Sequence, residues 1–266
     1  MVILITGISS GFGLEMAKTL SRKGHTVYGT VRREVEQIAG VNYLNADVRD
    51  EESVIKAVDE VIGREGFIDV LINNAGMGVG GPIEFTSTSD AMNQIDVNFF
   101  GLVRFVHAVL PYMRKRGSGK IIAMSSIGGL MGLPYQGFYS AGKFAVEGYC
   151  ESLRLEIQKF GIKVVVIEPG DFATGFTASR KKVGSCTEEL AKAYPSYAKS
   201  MESIENDENG GLAPEFLASR ITKIVEKKDP AYSYIIATFL QKISVFIKKI
   251  VSAKTYSKIL GAYYKL

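Results

Sequence analysis

Seven short runs of aliphatic and β-branched residues punctuate this chain: VILIT, TVYGTV, VNYL, DVLINN, KIIAMSS, KVVVIEP and, more weakly, YSYIIA. Within each, apolarity is continuous rather than alternating, as expected of strands buried on both faces of a parallel sheet. Parallel neighbours cannot be joined by a tight turn and need a long crossover, usually helical and right-handed. Segments of helical period duly lie between runs, such as FGLEMAKTLSRKG with a Lys-Gly stop and EESVIKAVDEVIGREG with a Gly stop. The implied fold is α/β: three layers, doubly wound around a central, mostly parallel seven-stranded sheet. At 266 residues with 46% hydrophobic and 23% charged content, one large domain over residues 1–266 with a substantial core is expected.

The first crossover is the most informative. VILITGISSGFGLEMA is a strand, a glycine-rich turn and a helix start, in the pattern T-G-x-x-x-G-x-G at Thr6, Gly7, Gly11 and Gly13. Glycine tolerates positive φ and lets backbone approach a ligand, and a helix N-terminus offers N–H groups to a pyrophosphate. In a β-α-β context this is a dinucleotide cradle and makes the fold Rossmann-like. GISSG also fits the G-x-S-x-G nucleophile elbow, with Ser9 as nucleophile. That chemistry needs a late histidine and an earlier strand-loop, yet His25 and His107 are the only histidines and nothing precedes the first strand. The hydrolase is rejected. The second strand then ends in Val31, where an acid would select NAD, followed by Arg32 and Arg33. Arginine pairs bidentately with a phosphate, so NADP(H) is expected over NAD(H), the alternative being that both arginines solvate a loop.

Four further motifs follow in order: NNAG at 73–76, Ser125-Ser126, YSAGK at 139–143 and Pro169-Gly170. Together with the glycine turn, these resemble the short-chain dehydrogenases/reductases, over the chain from its start to about Thr174. The resemblance implies Tyr139 as general acid/base, Lys143 as its pKa-lowering partner, Ser126 (thirteen residues before the tyrosine) on the substrate oxygen, and Asn98 in a water relay. It also implies a cofactor set: Gly7, Ser9, Ser10, Gly11, Phe12 and Gly13 in the turn, Arg32, Arg33, Asp47 and Val48 towards the adenosine, Asn73, Ala75 and Gly76 on the next strand end, then Tyr139, Lys143, Pro169, Gly170 and Thr174. No metal is implied.

Elementary chemistry agrees with the YSAGK spacing. Hydride transfer to a carbonyl leaves an oxyanion that needs a proton, and tyrosine's ordinary pKa of about 10 is too high for the reverse step. A lysine four residues later shares its helix face, and an ammonium there favours the phenolate. Ser140, Ala141 and Gly142 leave that face open to a cofactor. A dinucleotide-binding redox-sensing regulator without turnover is a second reading, but it would not need Ser126, Tyr139 and Lys143 together.

From Gly170 the β-α rhythm loosens into a polar stretch, and residues 171–211 are expected to form a substrate loop. Residues 232–266 contain six lysines and no carboxylate. Within 238–251, Phe239, Leu240, Ile243, Phe246, Ile247, Ile250 and Val251 recur at helical spacing, with Lys242, Lys248 and Lys249 on another face. This basic amphipathic extension, 238–266, suits peripheral membrane contact, or packing on the body or in an oligomer interface. A third function class, a peripheral membrane protein built around that tail, follows from the first option. VYGTVR and the extended C-terminus resemble the branch of 17β-hydroxysteroid and retinol dehydrogenases, which implies a small hydrophobic carbonyl or alcohol: steroid, retinoid or keto-lipid. Met77, Leu130, Met131, Leu133 and Phe176 supply apolar bulk near the expected cleft.

A net charge of +4 is too mild to argue for nucleic acid, and the basic run MRKRGSGK (113–120) lacks interleaved aromatics, so it is expected to cap a helix and solvate a turn. Cys150 and Cys186 stand in no metal or disulfide spacing and read as reduced and structural. With no secretory pattern at MVILITG and no window of about 18 unbroken apolar residues, a cytoplasmic protein is expected, membrane-associated if the tail binds lipid. The family resemblance implies a homodimer or homotetramer through helices at about 90–115 and 137–160.

Overall fold

The structure, a computed structural model, describes residues 1–183 and 188–266. Cys186 lies outside the described residues. All seven expected strands form: β1 (Val2–Ile5), β2 (Thr26–Val31), β3 (Val41–Asn45), β4 (Val70–Asn73), β6 (Gly119–Met124), β7 (Ile162–Pro169) and β9 (Ser233–Ile236). Between them, β5 (Val79–Gly80) and β8 (Lys181–Lys182) make a separate two-residue pair. The sheet runs β3-β2-β1-β4-β6-β7-β9, with every neighbouring pair parallel. Strand order reverses between β1 and β4, and in open α/β sheets that switch point opens a crevice at the strands' carboxyl ends.

The two-residue period of a strand assigns its side chains to opposite layers. Ile3 and Ile5 of β1 pack with Met16 and Leu20 of α1 (Gly11–Arg22) and Leu217 and Ile221 of α9 (Pro214–Glu226). Leu4 faces the other layer, with Val58 of α2 (Glu51–Glu65), Phe105 of α4 (Gly101–Arg116) and Val146 of α5 (Gly137–Ile157). Helix ends follow local chemistry: Asp50 caps α2 by accepting from the Glu52 N–H, and Gly66 closes that helix at φ 83°. Gly117 does the same for α4 at φ 74°. Helix α3 (Thr88–Ile95) runs into α4 through a π-helical turn at Asp96–Phe100.

The basic run departs from expectation. Lys120 does not solvate the turn: its side chain is buried, and Nζ donates to the carbonyls of Ile224 (3.1 Å), Val225 (2.6 Å) and Lys227 (2.7 Å). It therefore satisfies the orphan carbonyls at the end of α9, which would otherwise cost about 1–3 kcal/mol each. Burial pushes the ammonium's pKa down to about 8. Arg116 lies over the Phe67 ring at 4.1 Å while pairing with Asp69 at 2.7 Å.

The stretch expected to be a loop is mostly helical. Between β7 and α9 come α6 (Gly175–Ser179), α7 (Glu188–Ala193) and α8 (Tyr197–Asn209). Its polarity reflects helices lying at the rim, and Leu190, Tyr197, Met201 and Ile204 form a small core of their own. The tail forms α10 (Phe239–Ile250) and α11 (Ala253–Tyr263). Among the described residues, no helix is long and apolar enough to cross a membrane.

Candidate active site

The glycine turn at the end of β1 is held by its neighbours. Thr6 Oγ1 accepts from the N–H groups of Asn74 and Ala75, each at 2.9 Å. Asn74 Nδ2 donates to the carbonyls of Thr6 and Gly7, also at 2.9 Å. Gly7 and Gly11 have φ of 71° and 56°, where side chains are strained. A Cβ on Gly13 would stand 2.1 Å from the Gly7 carbonyl oxygen and 2.7 Å from Asn74 Nδ2. The turn thus closes tightly over the start of α1, leaving the helix N-terminus open towards the crevice.

That crevice is a cleft of about 530 Å³. Gly7, Ser9, Ser10, Gly11 and Phe12 line it from β1; Arg32, Asp47 and Val48 from β2 and β3; Ala75 and Gly76 from β4; and Pro169, Gly170 and Thr174 from β7. Ser126, Tyr139 and Lys143 line its floor. Gly13, Arg33, Asn73 and Asn98 do not line it. Gly13 acts beneath the turn as a spacer, and Arg33 points to solvent from an exposed position. Asn73 ends β4 with its side chain buried, so the strand's period gives the next residue, Asn74, the crevice position. Of the apolar bulk expected here, Met77, Met131, Leu133 and Phe176 line the cleft, whereas Leu130 packs beneath it.

Asn98 sits in the π-turn with its side chain clipped to one backbone unit: Oδ1 accepts from the Met77 N–H (2.8 Å) and Nδ2 donates to the Met77 carbonyl (2.9 Å). It positions the loop after β4. Asp47 is bound by Arg49 at 2.7 Å, which holds its carboxyl below the usual range. Thr174 caps α6 by accepting from the Phe176 N–H, and its Cβ would lie 3.7 Å from a Cβ on Gly11, across the cleft.

Ser126 caps the short turn Ile127–Gly129, its Oγ accepting from the Gly128 N–H at 3.0 Å. A Cβ at Gly128 would press on Leu133 (3.1 Å) and on the Tyr139 ring (3.2 Å), so glycine gives that ring room beside the serine turn. Lys143 lies one turn after Tyr139, with Nζ 5.7 Å from the tyrosine ring centre and donating to the Met124 carbonyl at 2.7 Å. Burial pushes the Lys143 ammonium down to about 8, against the opposing pull of Glu147. The lowering expected at Tyr139 depends on the Lys143 ammonium together with a cationic nicotinamide; the protein's own surroundings act in the opposite direction. Burial raises the Tyr139 phenol, with Glu208 and Asp171 adding to the rise; the hydrogen bond with Ser126 and the charge of Arg180 pull the other way. The physical reason is desolvation in a cleft walled by carboxylates.

Those carboxylates lie outside every recognised motif. Asp171, Asp207 and Glu208 also line the cleft. Glu208 pairs with the buried Arg180 and accepts from Thr177 Oγ1 at 2.6 Å. Asp171 accepts from Gln241 Nε2 at 2.6 Å, and burial with the neighbouring Glu208 and Asp207 charges pushes it up to about 7. Asp207 accepts from Tyr263 at 2.9 Å. The two tail partners have no sequence signal linking them to this site. The tail comes this close because Gly170 has no side chain: a Cβ there would meet Gln241 Oε1 at 2.1 Å.

The comparisons accord with this geometry. A family model described as short chain dehydrogenase matches residues 1–183. A 3-ketodihydrosphingosine reductase from Bacteroides thetaiotaomicron is 51% identical over 231 residues, 87% of this chain and 86% of that protein. Retinol dehydrogenase 8 from Bos taurus is 37% identical over 248 residues, 86% and 78% of the two chains. A short-chain dehydrogenase structure from Streptomyces avermitilis superposes with a TM-score of 0.81 at 27% identity, covering 99% of this chain and 97% of that one. With a dinucleotide cradle at the switch point and the serine, tyrosine and lysine gathered on its floor, this chain belongs to the short-chain dehydrogenase family of oxidoreductases, in the branch that includes the retinol dehydrogenases.

Proposed function

We propose that the protein is an NADP(H)-dependent reductase of a long-chain keto-lipid, working at a carbonyl held between Ser126 and Tyr139. The observation that carries this reading is the convergence of Ser126, Tyr139 and Lys143 in one cleft with the glycine turn. The residues present fit the cofactor: a Cβ-excluding turn, an open helix N-terminus for the pyrophosphate, and Arg32 at the mouth for a 2′-phosphate. When bound, the nicotinamide supplies the hydride. Ser126 donates a hydrogen bond to the carbonyl oxygen and orients it. Tyr139, kept neutral by burial, delivers its proton to that oxygen as negative charge develops there. Lys143 stabilises the phenolate left behind.

A neutral phenol suits the reductive direction. Lys143 must carry its charge to support it, and its pKa lies at about 8. Reduction rate (kcat/KM) is therefore expected to be flat below that pH and to fall as pH rises through it, while the ammonium loses its proton. A profile that rises through pH 8 would remove Lys143 from this role.

The keto-lipid is favoured over steroid and retinoid by the relative at 51% identity and by the carboxylate wall of the cleft. Three carboxylates against the single guanidinium of Arg180 leave that wall negative, which suits a head group carrying an ammonium beside its carbonyl. Exposed Phe100 in the π-turn and Phe144 on α5 fit a homodimer or homotetramer.

The test is a thermal-shift titration of wild type and Arg32→Ala with NADPH and NADH, followed by turnover of a long-chain amino ketone, a neutral ketone and a steroid. Wild type is expected to bind NADPH more tightly, and Arg32→Ala to lose about 10- to 100-fold of that affinity with little change for NADH. Equal affinity for both cofactors in the wild type would overturn the NADP assignment. Faster turnover of the steroid than of the amino ketone would overturn the substrate.

A further inference from the structure

Helix α10 is amphipathic, and the fold divides its apolar residues between the body and solvent: Ile247 and the C-cap Val251 pack inward, while Leu240 and Ile243 line the cleft. Three polar anchors hold the inward side: Gln241 donates to Asp171 at 2.6 Å, Ser244 shares a hydrogen bond with Tyr256 at 3.2 Å, and Lys248 donates to the Leu130 carbonyl. Val245 is the one buried apolar side chain among them. These bonds fix the helix's rotation. At about 100° per residue, Phe239, Phe246 and Ile250 then fall in one narrow sector on the far side. They are 76%, 61% and 65% exposed. Lys242 and Lys249 border this sector and are exposed too.

The second tail helix extends the surface. Ile259, Tyr263 and Leu266 are exposed, and Lys254, Lys258 and Lys265 stand around them in solvent. From residue 232 to the end there is no carboxylate side chain. The surface is also continuous with the cleft, because Leu240, Ile243, Ile247, Ile259 and Tyr263 line its mouth. An unbroken apolar track thus leads from the exposed stripe to the cleft that holds Tyr139.

We propose that the α10–α11 face seats on an anionic lipid bilayer, so that a lipid substrate passes from the membrane along this track into the cleft. The proposal rests on the keto-lipid reading and adds where the substrate comes from. Charge selects the occupant. A second copy docked through the same face would set lysines against lysines with no acid to offset them, since a two-fold contact pairs a patch with itself. An anionic headgroup layer takes the lysines, and its acyl boundary takes Phe239, Phe246 and Ile250. No described helix can cross the bilayer, so the contact is peripheral.

The test is co-sedimentation of the full chain with vesicles of phosphatidylglycerol and phosphatidylcholine in equal parts, and with phosphatidylcholine alone. Two variants accompany it: Phe239→Ser/Phe246→Ser/Ile250→Ser and Lys242→Glu/Lys249→Glu. None of these side chains lines the cleft, and all are exposed, so unfolding temperature and turnover of a short water-soluble ketone should stay at wild-type values. Wild type is expected to bind the anionic vesicles at least about tenfold more tightly than the neutral ones, and each variant to lose about tenfold or more. Turnover of a bilayer-dissolved long-chain ketone should fall in parallel. Absence of wild-type binding to anionic vesicles, or variants that bind as wild type does, overturns the proposal. So does a wild-type dimer that the serine variant dissolves without any vesicle binding, which would assign the face to self-association. Vesicle binding is read without turnover, so a failure of the keto-lipid reading leaves a separate mark: binding intact and long-chain ketone unreduced.

Discussion

Tyr139→Phe is expected to lower kcat about a thousandfold while leaving cofactor affinity within about twofold of wild type, since positioned proton transfer contributes about 10²- to 10⁴-fold. The substitution removes one oxygen and keeps the ring. That ring packs against Phe176 at 5.8 Å between centres and lies beside the Lys143 ammonium, and neither contact needs the hydroxyl. Cleft shape and the glycine turn therefore survive, and the loss falls on chemistry alone. Ser126 would keep its bond to the Gly128 N–H and could still orient the carbonyl, but no group of matching position would protonate the oxygen. Steady-state kinetics with a cofactor titration on the same preparation separates the two effects. A kcat within about tenfold of wild type would exclude Tyr139 as the acid; a parallel collapse of cofactor binding would show that the hydroxyl is structural.

Gly13→Ala is expected to be the most damaging glycine-to-alanine change among the described residues. Its new carbon would lie 2.1 Å from the Gly7 carbonyl oxygen and 2.7 Å from Asn74 Nδ2. The carbonyl belongs to backbone, so relief requires moving the turn away from α1. Such a shift breaks the Asn74 bonds to Thr6 and Gly7 and disturbs the Thr6 Oγ1 bonds to Asn74 and Ala75. Overpacking of this kind costs about 1–3 kcal/mol, and the backbone partner places it at the upper end. In a chain of this size about 3 kcal/mol lowers Tm by roughly 6–12 °C. Because the displaced turn is also the dinucleotide cradle, cofactor-induced stabilisation should vanish along with it. A variant melting within about 2 °C of wild type and still stabilised by NADPH would show that the loop absorbs the methyl by moving freely. Gly63 is a useful control, since a Cβ there meets nothing within 4 Å.

The architecture was legible because its determinants are local. Continuous apolar runs mark strands buried on both faces, and each of the seven formed in a wholly parallel sheet. Glycines at 66 and 117 end helices wherever they occur, through their own φ. The Tyr139–Lys143 pair was equally accessible, since a four-residue step on a helix fixes relative position without knowledge of the rest, whereas Ser126 was implied only by the family resemblance. NNAG was legible only in part. The motif marks the strand end, but whether Asn73 or Asn74 reaches the crevice depends on the register at which β4 leaves the sheet, and Asn74 takes that position.

By itself, then, the sequence determined the layer architecture, the site of the dinucleotide cradle and the shared helix face of Tyr139 and Lys143, all consequences of short-range periodicity and backbone chemistry. The tertiary structure alone decided the rest. Lys120 is buried because the end of α9 falls over it, more than a hundred residues away in the chain. Asp171, Asp207 and Glu208 share a wall because the segments after β7 and before α9 fold over one crevice. Phe239, Phe246 and Ile250 of the tail's apolar stripe face outward because Gln241, Ser244 and Lys248 find long-range polar partners that turn the helix. Hydrophobic periodicity gives the width of a helical stripe but not its direction; buried polar groups must be satisfied, and where their partners sit is a property of the whole fold.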